Sequence, residues 1–164
     1  MSTLTASAKN MKNILLITFS LAVLSLSPAG GAQQPPSPCG PADQLAPEFA
    51  SNVAANARCF ELRIYRAQPD DDGKHGINEL HQRFREQEVA IFERLGAEVV
   101  AVWQGLDDPD TLVWMLAYRD HVHRAKVWDA FMIDPEWLAL RAKYPVKVSA
   151  EVHMMSSTDY SSLK

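Results

Sequence analysis

The sequence is poor in cysteine and lacks the short motifs that are typical of metal, nucleotide and nucleophile sites. Its 164 residues include only Cys39 and Cys59, with no zinc-ligand spacing around them. Phosphate-loop, dinucleotide-binding and nucleophile-elbow patterns are missing too. We therefore predict no metal and no cofactor. Basic runs are also lacking, so neither nucleic acid nor an anionic membrane surface is a predicted partner.

The longest apolar stretch, Ile14 to Leu26, has the features of an export signal. Two lysines precede it and the small residues Gly30 to Ala32 follow it. Thirteen residues are too few to span a bilayer comfortably, so we predict a cleaved signal over residues 1–32 rather than a stable membrane anchor. Met11 is an alternative start. Cleavage leaves 14 basic and 20 acidic residues, a net charge of −6, in a periplasmic or secreted protein.

Export places both cysteines in a compartment where disulfides persist. The even cysteine count predicts a Cys39–Cys59 bridge, and the alternative is two unpaired thiols. The bridge would tie a proline-rich arm, residues 33–58, to the first strand. Alanines favour a short helix over Glu48 to Ala57 within that arm.

The rest of the chain alternates between strand and helix patterns. Phe60 to Ala67 alternates apolar and polar residues, as a strand does, and Leu112 to Tyr118 is apolar on both faces, which predicts a central strand. Residues 59–155 thus predict an α+β, ferredoxin-like β-α-β-β-α-β domain, followed by a loose tail, residues 156–164. The remaining predicted elements are a helix from Ile77 to Leu95 that Gly96 ends, a strand from Ala97 to Gln104, a helix capped by Asp120 that buries Val122, Ala125, Trp128, Phe131 and Met132, a helix restarted by Asp134 and Pro135, and a strand from Val146 to Met155.

Three segments resemble the NIPSNAP family. They are F-E-L-R-I-Y at residues 60–65, L-V-W-M-L-A-Y at residues 112–118, and H-R-x-x-x-W at residues 123–128 followed by D-P-E-W. The resemblance covers Phe60 to Met155 and implies a ferredoxin-like dimeric α/β barrel, akin to small cofactor-light monooxygenases and haem-handling barrels. A homodimer is therefore expected, formed through the sheet face that carries Arg63 and Glu151. The export signal, the arm and the single domain depart from the family, so an intracellular trafficking role is not carried over.

Two strands offer polar residues for a site. In this fold the fourth strand lies beside the first, so their polar rows are expected to meet on one surface. That surface would be a polar pocket inside the dimer barrel or a set of ion pairs that fix the dimer. The two rows are Glu61, Arg63 and Tyr65, and Lys147, Ser149, Glu151 and His153.

The first helix carries a second candidate site. His81 and Glu88 lie seven residues apart, on nearly the same helical face, and Glu88 interrupts the apolar stripe. They are candidates for acid–base catalysis or cofactor binding, or they are solvated at the edge of the stripe. His121 and His123 open the second helix without a third metal ligand, which favours a capping or surface role.

Aromatic residues support two alternative functions. Trp103, Trp114, Trp128, Trp137 and Phe131 either line an apolar ligand pocket or form plain core. One hypothesis is a module that binds a small apolar or aromatic molecule without turnover. The alternative is a cofactor-light monooxygenase-type enzyme, which a cleft holding His81 and Glu88 would favour. The predicted ligand-binding residues are Arg63, Tyr65, Trp114, Glu151 and His153.

Overall fold

The computed structural model describes residues 38–164, so the predicted export signal and the first residues of the arm lie outside the described residues. Among residues 38–164, no helix is long and apolar enough to cross a membrane. The described elements are a short 3-10 turn (Ala42–Gln44), α1 (Pro47–Ala50), β1 (Cys59–Gln68), α2 (Ile77–Arg83), a π turn (Phe84–Glu88), α3 (Val89–Arg94), β2 (Glu98–Gln104), β3 (Thr111–Tyr118), α4 (His121–Met132), α5 (Pro135–Lys143) and β4 (Lys147–Ser156).

The four strands form one antiparallel sheet in the order β2-β3-β1-β4. This order and the helices between the strands confirm the predicted α+β, ferredoxin-like fold. β3 lies at the centre, as its apolar sequence indicated, and Leu112, Trp114 and Leu116 are fully buried. A bulge between Val99 and Ala101 interrupts the pairing of β2 with β3.

The helix boundaries follow from local capping chemistry. The Asp120 carboxylate accepts a hydrogen bond from the backbone N–H of His123 at 2.7 Å, which begins α4. Asp134 accepts hydrogen bonds from the N–H groups of Glu136 and Trp137 and begins α5, with proline at the first helical position. Gly96 has a φ of 103° and ends α3. All three boundaries were predicted from the sequence.

The two rows of β1 point in the opposite directions from those that its pattern suggests. Trp114 of β3, which is fully buried, pairs directly with Arg63, so Arg63 shares the helix-covered face with its neighbours Glu61 and Tyr65 two positions away. The apolar residues Leu62 and Ile64 lie on the other face, which none of the helices within residues 38–164 covers. We call this second face the open face.

The predicted meeting of two polar rows is therefore wrong. Leu62 pairs with His153 and Ile64 pairs with Glu151, whereas Arg63 pairs with Val152. Residues directly opposite each other in an antiparallel pair point to the same face. Arg63 and Glu151 thus lie on opposite faces, and no single surface of the sheet carries both rows.

The buried stripe of α4 also differs from the prediction. Val122 and Met132 are about half exposed and Ala125 is exposed, whereas Val127 and Phe131 are buried. The stripe is rotated because α4 turns Arg124 and Trp128 toward β1, where both donate hydrogen bonds to Glu61. These hydrogen bonds to Glu61 thus set which side of α4 faces the sheet.

The arm and the tail are tied to the same end of the sheet. Cys39 and Cys59 form the predicted disulfide, with Cα atoms 4.7 Å apart. The tail is not loose as predicted, because Thr158 forms a β-bridge with Val53 and Arg58 donates to the carbonyl of Lys164. The predicted helix over Glu48 to Ala57 is shorter, since only α1 is helical there.

We expect the disulfide to stabilise the fold by restricting the unfolded chain. It links residues 20 positions apart, which corresponds to about 3 kcal/mol of loop-closure entropy. The double variant Cys39→Ser, Cys59→Ser should lose about that much free energy of unfolding in urea denaturation. Adding a reductant should destabilise the parent protein and leave the double variant unchanged. Equal stabilities of parent and variant under oxidising conditions would contradict this role.

Candidate functional site

A single buried carboxylate gathers side chains from two strands and a helix. Glu61 of β1 is 0% exposed and accepts five hydrogen bonds. Arg124 binds it through two nitrogens, each at 2.8 Å, and Arg63 donates through Nη1. The indole Nε1 of Trp128 donates at 2.9 Å and the hydroxyl of Tyr118 at 3.1 Å. All these residues lie in the layer between the helices and the sheet.

Glu61 acts as a fixed negative charge. Burial alone would raise the pKa of its carboxyl, but the hydrogen bond from Arg124 and the charges of Arg63 and Arg124 outweigh burial and lower the pKa. The carboxylate is therefore ionised at neutral pH. With five donors around its two oxygens, it is not free to take a proton from a substrate. Its chemical role is to hold the two arginines in place.

Arg63 is held over aromatic rings. Its guanidinium carbon lies 4.4 Å from the ring centroid of Trp128, 5.2 Å from that of Tyr65 and 5.9 Å from that of Trp114. Its Nε donates to the Tyr65 hydroxyl at 2.9 Å. The Arg63 side chain is nevertheless 13% exposed, so solvent reaches part of this group. The result is a rigid cation on an aromatic support.

Tyr65 remains a neutral phenol. Burial raises its pKa to about 12, against the opposing effect of Arg63. The side chain packs edge-on against Trp114, with ring centroids 5.5 Å apart. A neutral hydroxyl that already accepts from Arg63 keeps its own proton for donation to another group. Tyr65 therefore adds a donor to the site rather than a charge.

A π turn places a second ion pair in the layer. Arg83 and Glu88 are five residues apart, which on an α-helix separates two side chains by roughly 140°. The π turn bonds residue i to i+5, and so brings the two side chains together, with Arg83 Nε 3.2 Å from Glu88 Oε2. Glu88 is 2% exposed, and burial raises its pKa to about 7 although Arg83 opposes the shift. Its charge also interacts with that of Arg63, and it helps to raise the pKa of the Tyr65 hydroxyl.

The predicted placement of His81 and Glu88 on one helical face is wrong. His81 lies before the π turn and shares a 2.6 Å hydrogen bond with Gln104 of β2, near the surface. Glu88 instead pairs with Arg83 in the interior. The extra residue of the π turn shifts the helical phase between the two positions, so the seven-residue spacing no longer places them on one face.

The other predicted ligand residues are split between the two sheet faces. Tyr65 and Trp114 join Arg63 in the helix-side layer. Glu151 and His153 lie on the open face, hydrogen-bonded to each other at 2.8 Å and exposed. Among the aromatics, Trp128 and Phe131 pack against Phe92 in the core, and Trp137 packs against Phe131. Trp103 is 47% exposed on the open face.

Sequence reasoning missed three of the residues that build this network. Arg83, Arg124 and Tyr118 were not predicted site residues. Arg124 carried a usable signal, because it lies four positions before Trp128 and so shares its helical face. Arg83 carried none, since only the π turn brings it inward.

An apolar pocket of about 360 Å³ lies apart from this network, between the arm and the end of β4. Phe49, Val53, Met154 and Met155 are among its lining residues, and none of those lining residues is charged. Within residues 38–164, no group of three His, Cys, Asp or Glu side chains is placed to hold a metal ion. Within residues 38–164, charged groups, hydrogen-bond donors and aromatic surface therefore meet in the helix-side network.

Comparison with known proteins identifies the family of this chain. A model of the NIPSNAP family matches residues 60–161. The chain belongs to the NIPSNAP family. The match begins at β1 and ends within the tail, so it includes every residue of the network.

Solved NIPSNAP structures share the fold. A NIPSNAP family protein from Agrobacterium tumefaciens is 22% identical, covers 69% of this chain and 99% of its own, and superposes with a TM-score of 0.57. A second NIPSNAP family protein from the same organism is 25% identical, covers 65% of this chain and 99% of its own, and has a TM-score of 0.54. A NIPSNAP-like domain protein from Burkholderia xenovorans is 21% identical, with 65% and 90% coverage and a TM-score of 0.54. No curated protein matches the chain.

We expect Glu61→Gln to destabilise the domain strongly. The substitution keeps the shape of the side chain but leaves Arg63 and Arg124 without their shared counter-charge. Removing one partner of a buried ion pair typically costs about 3–5 kcal/mol. Urea denaturation at neutral pH measures the loss, and Glu98→Gln, which removes an exposed partner of Arg58, serves as the control. A loss for Glu61→Gln no greater than for Glu98→Gln would refute the central position of Glu61.

Glu88 predicts a pH dependence of stability. Its folded-state pKa of about 7 lies above the usual value of 4.5, so the folded chain binds an extra proton between these pH values. The contribution of Glu88 to the free energy of unfolding should therefore fall as pH rises from about 4.5 to about 7 and stay level outside that window. Glu88→Gln should remove this slope, as urea denaturation in steps from about pH 4 to pH 8 will show.

The exposed Glu93, which lies in α3 directly after the π turn that contains Glu88, provides the matched control. Glu93→Gln should retain the slope of the parent. If the difference between parent and Glu88→Gln is constant across the window, burial does not raise the pKa of Glu88.

Proposed function

We propose that this NIPSNAP domain binds a small aromatic or apolar molecule on the helix side of its sheet, beside Arg63 and Trp128, without turnover. One observation carries the proposal. The guanidinium of Arg63 is fixed 4.4 Å from the ring centroid of Trp128, and the Arg63 side chain is still 13% exposed. A rigid cation and an indole at the border of solvent offer a ligand both stacking surface and orientation.

The site is organised before a ligand arrives. Glu61 and Tyr65 hold Arg63 through two different nitrogens, and Glu61 also holds the indole Nε1 of Trp128. A ligand therefore does not have to immobilise these side chains on binding, and the entropic cost of binding is reduced. Such preorganisation is more than packing of a core requires.

Small side chains border the arginine. In the register of β1 with β4, Val152 lies directly across from Arg63 and Ala150 directly across from Tyr65, on the helix side. Ala150 is exposed and Val152 is half-buried. The edge strand thus leaves apolar surface next to the guanidinium, where the body of a ligand can lie.

We also propose that the domain forms a homodimer through its open face. Leu62, Ile64, Val113 and Met115 form an apolar, half-buried row there, and Trp103 extends it toward β2. An uncovered apolar sheet face favours a partner. The export proposed from the sequence is supported by the Cys39–Cys59 bridge, since disulfides persist in oxidising compartments.

An enzymatic function of the monooxygenase type is a second candidate, and Glu88 favours it. A buried carboxyl with a pKa of about 7 is suited to accept a proton at neutral pH. Its charge interacts with that of Arg63 and helps to raise the pKa of Tyr65, and both residues border the proposed ligand. Oxygen consumption on addition of the ligand, lost in Glu88→Gln, would favour this candidate over binding alone.

Native mass spectrometry of the purified protein tests the binding function and the dimer together. We expect the mass of a dimer that retains a small molecule. Trp128→Leu should lose the small molecule and keep the dimer, because it removes the indole on the helix side. Trp103→Leu should keep the small molecule and weaken the dimer, because Trp103 lies on the open face.

Each variant serves as the control for the other, since both remove one indole. A small molecule retained equally by Trp128→Leu and the parent would exclude the helix-side location. A monomer at micromolar concentration in the parent would exclude the dimer. If the parent carries no small molecule and binds none of the probes described below, the binding function itself fails.

A further inference from the structure

Around Glu61 and Glu88, the helix-side layer contains more positive than negative charge. Arg63, Arg83 and Arg124 lie there against the two carboxyls of Glu61 and Glu88. Even with both carboxyls ionised, one positive charge is unmatched. Tyr65 does not supply the missing negative charge, because burial raises its pKa to about 12. Unmatched charge in a buried layer is costly, so a group that neutralises it would be bound favourably.

Among residues 38–164, each of the two arginines beside Glu61 has a nitrogen donor that is not used. Arg63 uses Nε on Tyr65 and Nη1 on Glu61, and Arg124 uses Nε and Nη2 on Glu61. Within residues 38–164, Arg63 Nη2 and Arg124 Nη1 have no partner. The guanidinium group has no acceptor. A molecule that binds both groups must therefore offer acceptor oxygens.

The two arginines lie side by side. Arg63 Nη1 and Arg124 Nη2 both donate to Oε1 of Glu61, which forces the guanidinium groups to be neighbours. Their side chains are 13% and 15% exposed, so both are reached from solvent. The buried indole Nε1 of Trp114, whose ring lies 5.9 Å from the Arg63 guanidinium, is another donor without a partner among the described residues.

We infer that the ligand of this site is a small carboxylic acid with an aromatic or aliphatic body. Its carboxylate would bind Arg63 and Arg124, and its body would lie against Trp128, Ala150 and Val152. A planar carboxylate matches the fork of donors that a guanidinium presents. This assignment depends on the binding function proposed above and adds the charge of the ligand to it.

Matched pairs of acids and uncharged amides test the assignment. Benzoate and benzamide, 2-naphthoate and 2-naphthamide, and octanoate and octanamide have nearly the same shapes and differ in charge. Isothermal titration calorimetry of the full chain should show at least one acid that binds tenfold or more tightly than its amide. This ratio should fall as salt is added, because charge carries the difference.

Variants locate the preference. Arg63→Met and Arg124→Met should each bring the acid-to-amide affinity ratio close to one. Arg66→Met should leave the ratio unchanged, because Arg66 lies on the same strand but on the open face and pairs with Asp108. Arg63→Lys keeps the charge in a less matched geometry and should retain part of the preference, which provides a test if Arg63→Met does not fold.

The outcomes separate this inference from the proposed function. Acids and amides that bind the parent equally would overturn the carboxylate assignment and leave the binding of an apolar molecule in place. A preference that survives in both Arg63→Met and Arg124→Met would place the anion elsewhere and also overturn the assignment. If no member of any pair binds the parent, both the assignment and the binding function fail.

Discussion

The Glu61 carboxylate joins the sheet to the second half of the domain. Through it, β1 contacts Tyr118 of β3 and both Arg124 and Trp128 of α4, so one side chain fixes two strands and a helix relative to each other. Without this negative charge, Arg63 and Arg124 would repel each other at the place where α4 approaches the sheet. The rotation of α4, the position of Trp128 and the exposure of Arg63 all follow from this contact. Apolar residues could fill this layer, but here it is built around an ionic group. Burying such a group is costly, which favours a use of the polar residues beyond packing.

The sequence of β1 shows how a strand can be identified correctly while its two faces are assigned the wrong way round. Alternation in F-E-L-R-I-Y identifies a strand correctly, and the usual assumption places its polar row toward solvent. Here the row of Glu61, Arg63 and Tyr65 faces the helices and the apolar row faces the open side. The assumption fails because polar residues can be buried when their partners are buried with them, and those partners, Arg124 and Trp128, lie more than 60 residues away in the chain. Alternation alone carries no information about such distant partners.

Local features were predictable and phase-dependent features were not. The caps at Asp120 and Asp134, the helix end at Gly96 and the Cys39–Cys59 pairing depend on short-range chemistry or on a count of two, and the structure has them as predicted. The prediction that His81 and Glu88 share a helical face depended on a regular helical phase. The π turn changes that phase, and its sequence, F-R-E-Q-E, contains no residue that an α-helix would reject. A π turn is stabilised by what its side chains meet in the fold, so it is visible only once Glu88 and Arg83 are seen together.

The arm and the tail are bound together where β1 begins and β4 ends. Residue 38 and Lys164 therefore lie at the same end of the sheet. The hairpin between β2 and β3, with Leu106 at its tip, lies at the other end, since Gln104 pairs beside Leu112 and Arg66 beside Thr111. A protein attached to a support through either side of this junction would therefore present the hairpin outward. The arginine layer and the apolar row would both lie to the side of the attachment point, so immobilisation need not obstruct either of them.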